Sequence, residues 1–208
     1  GQYVRLRDAA ESALLDRRLS VPREAADWLD KDIVDIADGE VVEFEIEHPD
    51  GERVLARKVS VGDENFTLED LPEGREIKSA WTVDSLAGSL SALTLDAVAT
   101  DDSVDWSEAA AFRLLTVDGL QIRAELAAVM GEEAESTTDD TFWIRLQAGT
   151  YTTAVERIAE QEAEAADPAE RAAEINDRVA GWAYRIPKYK FDSMTKRMDD
   201  LLKEVESS

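Results

Sequence analysis

Apolar and acidic residues alternate strictly in VVEFEIEH, residues 41–48: Val42, Phe44 and Ile46 fall on one side, and Glu43, Glu45 and Glu47 on the other. Period two predicts a strand with one face in a core and one in water. PDG (49–51) then reads as a turn, ERVLARKV (52–59) as the antiparallel return and NFTLEDL (65–71) as a third strand. In SAWTVDSLAGSLSAL (79–93) the period changes, with Trp81, Leu86, Leu90 and Leu93 at roughly helical spacing. The later chain repeats this order. AAFRLLTV and LQIRAELAAVM flank Asp118-Gly119, a pair that tolerates the positive φ of a tight hairpin. TFWIRLQA (141–148), beyond the polar loop GEEAESTTDD, completes a three-stranded meander. YTTAVERIAEQEAEAA and PAERAAEINDRVA read as helices parted at Asp167-Pro168, since proline suits a first helical turn. GWAYRIP (181–187) reads as a short strand.

Two regions at the start are less regular. YVRL (3–6) and SALLDRRL (12–19) read as short strands around the turn DAAE, and VPREAADWLDKDIVDIADGE as a helical turn followed by an extended piece. Tyr3-Val4-Arg5-Leu6 echoes Trp143-Ile144-Arg145-Leu146, too short a match to establish a repeat. It does imply that residues 1–20 close an upstream unit. The chain opens Gly1-Gln2-Tyr3 without an initiator Met and reads as a piece of a longer protein. The expected architecture is α+β, with antiparallel sheets each followed by packing helices. One unit is expected over 1–100 and a second over 101–208.

From Phe191 onward, Met194, Met198, Leu201, Leu202 and Val205 recur at spacings of three and four, which predicts one closing amphipathic helix. Its polar face offers Asp192–Lys196, Lys196–Asp200 and Asp199–Lys203 as i,i+4 ion pairs. The stretch 181–205 that contains it has six basic residues against four acidic ones, slightly basic in a chain with 47 acidic and 23 basic residues and a formal net charge of -24. A salt-balanced docking helix accounts for it. A second reading makes Trp182, Tyr184, Arg185, Lys188, Tyr189 and Lys190 an anchor for an anionic or protein partner, because aromatics and Arg dominate binding hot spots.

Charge also sets what the chain does not favour. A surface this acidic repels nucleic-acid phosphates and anionic lipid headgroups. The acids are spread along the whole chain, which fits adaptation to high salt better than one cationic ligand. There is no Cys, hence no disulfide and no thiolate metal site. No apolar run approaches the ~18–20 residues of a membrane helix, and no signal peptide opens the chain. Phosphate-binding and nucleophile-elbow motifs are missing. AGSLS (87–91) falls inside an expected helix, and His48, the single His, reads as a surface residue at a strand end. The acids at 30, 32, 35 and 38, and at 101, 102 and 105, lack the frame of a calcium loop. No catalytic residue, metal site or cofactor is expected.

The segments GWAYRIPKYKFDSMTKRMDDLL, ADWLDKDIVDI, GREIKSAWTVDSLAGSLSALTLDAV and TVDGL, in that chain context, resemble an uncharacterised bacterial family encoded beside ABC transporter genes of the gliding-motility auxiliary type. The resemblance implies a membrane-anchored parent with an extracytoplasmic body, tethered to the inner membrane on its periplasmic side. It implies no activity and no catalytic residues. The expected function is therefore a non-enzymatic accessory module that binds the transporter's membrane components or a polymer or solute they handle. Membrane contact would come through an anchor outside this sequence. The alternatives are a periplasmic domain for a small-molecule or polysaccharide ligand and, further off, a hydrolase using paired carboxylates.

Overall fold

A computed structural model describes residues 1–5, 7, 10–18, 20, 28–60, 62–131, 140–151 and 167–203. The expected helix over 151–166, the helical turn at 21–27, the acidic loop at 132–139 and Val205 lie wholly or almost wholly outside them. The chain divides into Gly1–Asp30 and Lys31–Ser208. In the first unit, β1 (Gln2–Val4) and β2 (Ala13–Leu15) pair antiparallel, Tyr3 opposite Leu14, as the sequence implied.

The second unit is α+β. Its main sheet holds β4 (Val41–Glu47), β5 (Arg53–Arg57), β6 (Thr67–Leu68), β8 (Ala97–Thr100), β9 (Ala110–Thr116), β10 (Leu120–Val129), β11 (Thr141–Thr150) and β12 (Trp182–Arg185), in the order β6-β5-β4-β9-β10-β11-β12-β8. All its pairings are antiparallel. A small second sheet joins β3 (Asp32–Val34) to β7 (Leu93–Thr94). Strands from both sides of residue 100 hydrogen-bond into one sheet, because β4 pairs directly with β9. The division expected near residue 100 is replaced by one at Asp30/Lys31.

Four helices are described: α1 (Ala80–Ala87), α2 (Pro168–Val179), α3 (Lys188–Met194) and α4 (Met198–Leu201). Ser79 caps α1 by accepting from the Thr82 N–H at 3.2 Å, and Asp167 caps α2 with Pro168 at its first position. The sheet's apolar face, with Phe44, Ile46, Phe112, Leu114, Ile122 and Ile144, forms one buried cluster with Val83, Leu86, Ala172, Val179, Met194 and Leu201 of the helices. The other face carries charge. Arg113 bridges Glu43 (3.1 Å) and Glu45 (2.5 Å), while Arg57 meets Glu69 at 2.8 Å. Burial pushes the Glu45 carboxyl upward, and hydrogen bonds from Arg53 and Arg113 more than reverse that, so it sits below its ordinary range.

Several expectations need correction. A bulge puts Val41 opposite Thr116 and Glu43 opposite Leu115, so Val41 lies fully buried and Val42 half-buried. Inward alternation continues from Phe44 and Ile46 to His48, which is 7% exposed with its Nε2 3.4 Å from the Lys196 carbonyl. His48 is thus not a surface residue. Trp81 is 74% exposed: α1 points Val83, Leu86 and Ala87 inward, and a residue two positions before Val83 falls off that face. Leu93 belongs to β7.

The closing helix is also two helices. The Met198 N–H donates to Glu52 Oε1 at 2.8 Å, Arg197 binds Asp50 at 2.8 Å and Glu52, and Asp200 accepts from the Arg197 N–H at 3.0 Å. These partners on the β4–β5 turn hold Thr195–Arg197 out of helical register. The expected ion pairs are redistributed accordingly: Lys188 meets Asp192, Arg75 meets Asp199, and Lys203 meets Glu76. The apolar stripe still docks, with Met194, Leu201 and Leu202 buried and Met198 partly so.

Candidate functional site

The six candidate contact residues start where α2 ends. Gly181 turns the chain at φ +79°, its carbonyl accepts from the Asp101 N–H at 3.0 Å, and β12 begins at Trp182. Pro187 then starts α3, its carbonyl accepting from the Lys190 and Phe191 N–H groups at 3.0 and 3.2 Å.

The structure separates the six. Tyr184 is buried, and its hydroxyl donates to the Arg178 carbonyl at 3.2 Å; burial raises its pKa. Lys190 is turned inward, donating to the carbonyls of Ser89 at 3.1 Å and Ser91 at 2.6 Å. Burial lowers its pKa against the opposing charge of Asp35. Both hold the fold together. Trp182, 45% exposed, and Tyr189, 66% exposed, remain open to a partner. Lys188 is exposed as well, paired with Asp192 at 2.7 Å and set 5.3 Å from the centre of the Phe142 ring.

Arg185 and Lys188 meet in a cleft of about 310 Å³ at one end of β12, with Asp96, Asp140, Phe142 and Pro187. A second cleft, about 430 Å³, lies at the other end, lined by Asp101, Arg123, Glu125, Arg145, Gln147 and Asn176. Sequence reasoning missed this one. Its centre is Arg145, which binds both Asp101 oxygens at 2.9 and 3.2 Å and Glu125 at 2.5 Å. Its guanidinium stacks 4.7 Å from the Trp106 ring. Burial works against the charge of Arg145, and hydrogen bonds to Asp101 and Glu125 outweigh it and raise its pKa. The available signal was the outward alternation of Arg123 and Glu125 on one strand and Arg145 on the next; Glu125 stands directly opposite Arg145.

Asn176 performs a different task beside this cleft. Its Oδ1 accepts from the Ala148 N–H at 2.8 Å, and its Nδ2 donates to the Ala148 carbonyl at 2.9 Å. The amide thus takes the place of a neighbouring strand where β12 no longer runs beside β11.

Paired carboxylates for hydrolysis would show one acid held protonated by its surroundings. Every carboxylate with a resolved shift among the described residues is instead lowered. Backbone or side-chain donors do this at Asp50, Glu69, Glu76 and Asp105, and at Glu45 and Asp118 such donors overcome burial. Among the described residues no group of three or more His, Asp or Glu converges on a metal position. No described helix is long and apolar enough to cross a membrane.

No curated protein and no solved structure is similar at a significant level. A sequence profile for a domain of unknown function, DUF4340, matches residues 1–114, running from β1 into β9. That span is more than half of the 208 residues, and the chain belongs to the DUF4340 family.

Proposed function

We propose that this domain is a non-enzymatic binding module of a membrane-anchored, extracytoplasmic accessory protein of an ABC transport system. The observation that carries the binding role is the exposed aromatic and basic set left on β12 and α3 once Tyr184 and Lys190 are assigned to the interior. Trp182 and Tyr189 present wide, stiff aromatic side chains, and Lys188, in the Arg185 cleft, adds a cation, the chemistry that concentrates binding energy in protein interfaces. The two clefts carry mainly paired charges, where a small-molecule pocket would be mostly apolar. The transporter setting rests on the sequence resemblance described above.

The test is affinity purification of the full-length membrane protein with its neighbours, comparing wild type with a Trp182→Ala, Tyr189→Ala double variant. Co-purification of transporter components that the variant loses, at unchanged melting temperature, is the expected result. Equal recovery by both proteins would sink the assignment of these residues. A second reading, a periplasmic domain for a small polar or saccharide ligand, is favoured by the size of the Arg145 cleft. It calls for a ligand whose affinity falls on Arg123→Ala.

A further inference from the structure

We propose that the outer edge of β8 is a strand-addition site for an extended polypeptide segment bearing basic residues. β8 ends the eight-stranded sheet, and among the described residues β12 is its one neighbour. The Asp101 N–H donates to Gly181 and Ala99 pairs with Ala183, so from Ala97 to Asp101 the odd-numbered residues bond inward; ahead of the strand, the Asp96 N–H also donates inward, to the Arg185 carbonyl at 2.8 Å. Alternation in an antiparallel ladder then turns the N–H and C=O groups of Val98 and Thr100 outward. Ser103 Oγ donates to the Thr100 carbonyl at 2.6 Å and takes one of its lone pairs.

Natural sheets guard such an edge with Lys, Pro or an inward charge. Ala97-Val98-Ala99-Thr100 contains none of these, and Val98 is exposed. The other edge is blunted, since β6 has two residues. The free side of β11 is covered at Ala148 by the Asn176 amide.

Charge selects the occupant. β8 is flanked by Asp96, in one cleft, and by Asp101, already bound by Arg145, in the other; Asp102, Asp105 and Glu108 follow in the sequence. In a two-fold pairing of β8 with a second copy, these acids would approach one another, which disfavours a dimer. A segment of small or β-branched residues with Lys or Arg at its ends meets both requirements. Backbone groups supply the ladder and the ends meet the carboxylates. The proposal deepens the binding-module reading but rests on the sheet edge, with no contribution from Trp182, Lys188 or Tyr189.

The probe is the synthetic peptide Lys-Thr-Val-Thr-Val-Lys with blocked termini, titrated to millimolar concentration into the whole isotope-labelled chain. Saturable amide shifts centred on Val98 and Thr100 are expected, together with slowed exchange of their N–H groups. Val98→Pro removes an outward donor without touching the bonds to β12, and should abolish the shifts. Should that variant fail to fold, the same peptide with alternate amides N-methylated must lose binding to the wild type. A peptide ending in Glu should bind about fivefold more weakly or worse. Shifts mapping elsewhere, binding unaffected by backbone methylation, or equal binding of the Glu peptide would each overturn the proposal. So would self-association through β8 seen by sedimentation without peptide. The Trp182, Tyr189 variant should bind the peptide normally, so the outcome is separable from that of the purification experiment.

Discussion

Lys188 and Lys190 stand two positions apart and differ in every physical respect. Lys188 is exposed and paired along its own helix, so Lys188→Glu should cost no more than ~0.5 kcal/mol. Lys190→Met leaves two carbonyls without their donor and should cost about 1–3 kcal/mol, read as a lower denaturation midpoint in urea. The sign of the pH effect follows from its lowered folded pKa. Between that value and the ordinary 10.5 the unfolded chain binds more protons, so Lys190 makes stability rise with pH across that window. The stability difference between wild type and Lys190→Met should therefore widen as pH climbs towards 10.5. Asp118 works in the opposite range. Burial opposes its charge, but hydrogen bonds from Thr116 and Arg171 hold its pKa below 3.8. Its contribution is complete above 3.8 and fades as pH falls through the folded value, so Asp118→Asn should flatten the acid limb of the stability curve. At this scale, sequence pattern located residues without telling which way they point. Lys190 and Lys188 are identical in a string, and position around a short helix sends one to Ser89 and the other to water.

Elements whose period extends over enough residues were the most legible. The alternation from Glu43 to Glu47, the Asp118-Gly119 turn and the Pro168 start all lie where pattern and turn chemistry place them. Those set by distant partners were not. β8 and β7 are too short to show a period, and each exists because a partner far along the chain supplies its hydrogen bonds. The closing segment shows the same limit, for its stripe is regular across a break imposed by Glu52. Truncating Leu201, fully buried, to Ala should cost ~2–5 kcal/mol, while Met198→Ala should cost clearly less because Met198 is partly exposed. Equal losses in chemical denaturation would mean that the two short helices behave as the single helix the spacing implied. Glu52→Gln should lower the melting temperature by weakening the break, without changing helix content by more than a turn.

For the whole molecule, the ion pairs on the open sheet face neutralise many Arg side chains locally and leave an excess of 24 negative charges with no basic residue to answer them. Melting temperature should therefore climb from low to molar sodium chloride as the Debye length contracts from ~30 Å at 0.01 M to ~3 Å at 1 M. A flat series would mean that local pairing, not net repulsion, governs stability. Composition made this property plain, whereas the clefts at the ends of β12 depend on which strands become neighbours, and no local pattern carries that information. Strand order also fixes a timetable. β4, β5 and β6 can join as soon as they leave the ribosome, but Thr100 must wait for Trp182 before it has anything to lie against. From its own emergence until residues 182–185 follow, β8 is a strand in waiting with both sides bare.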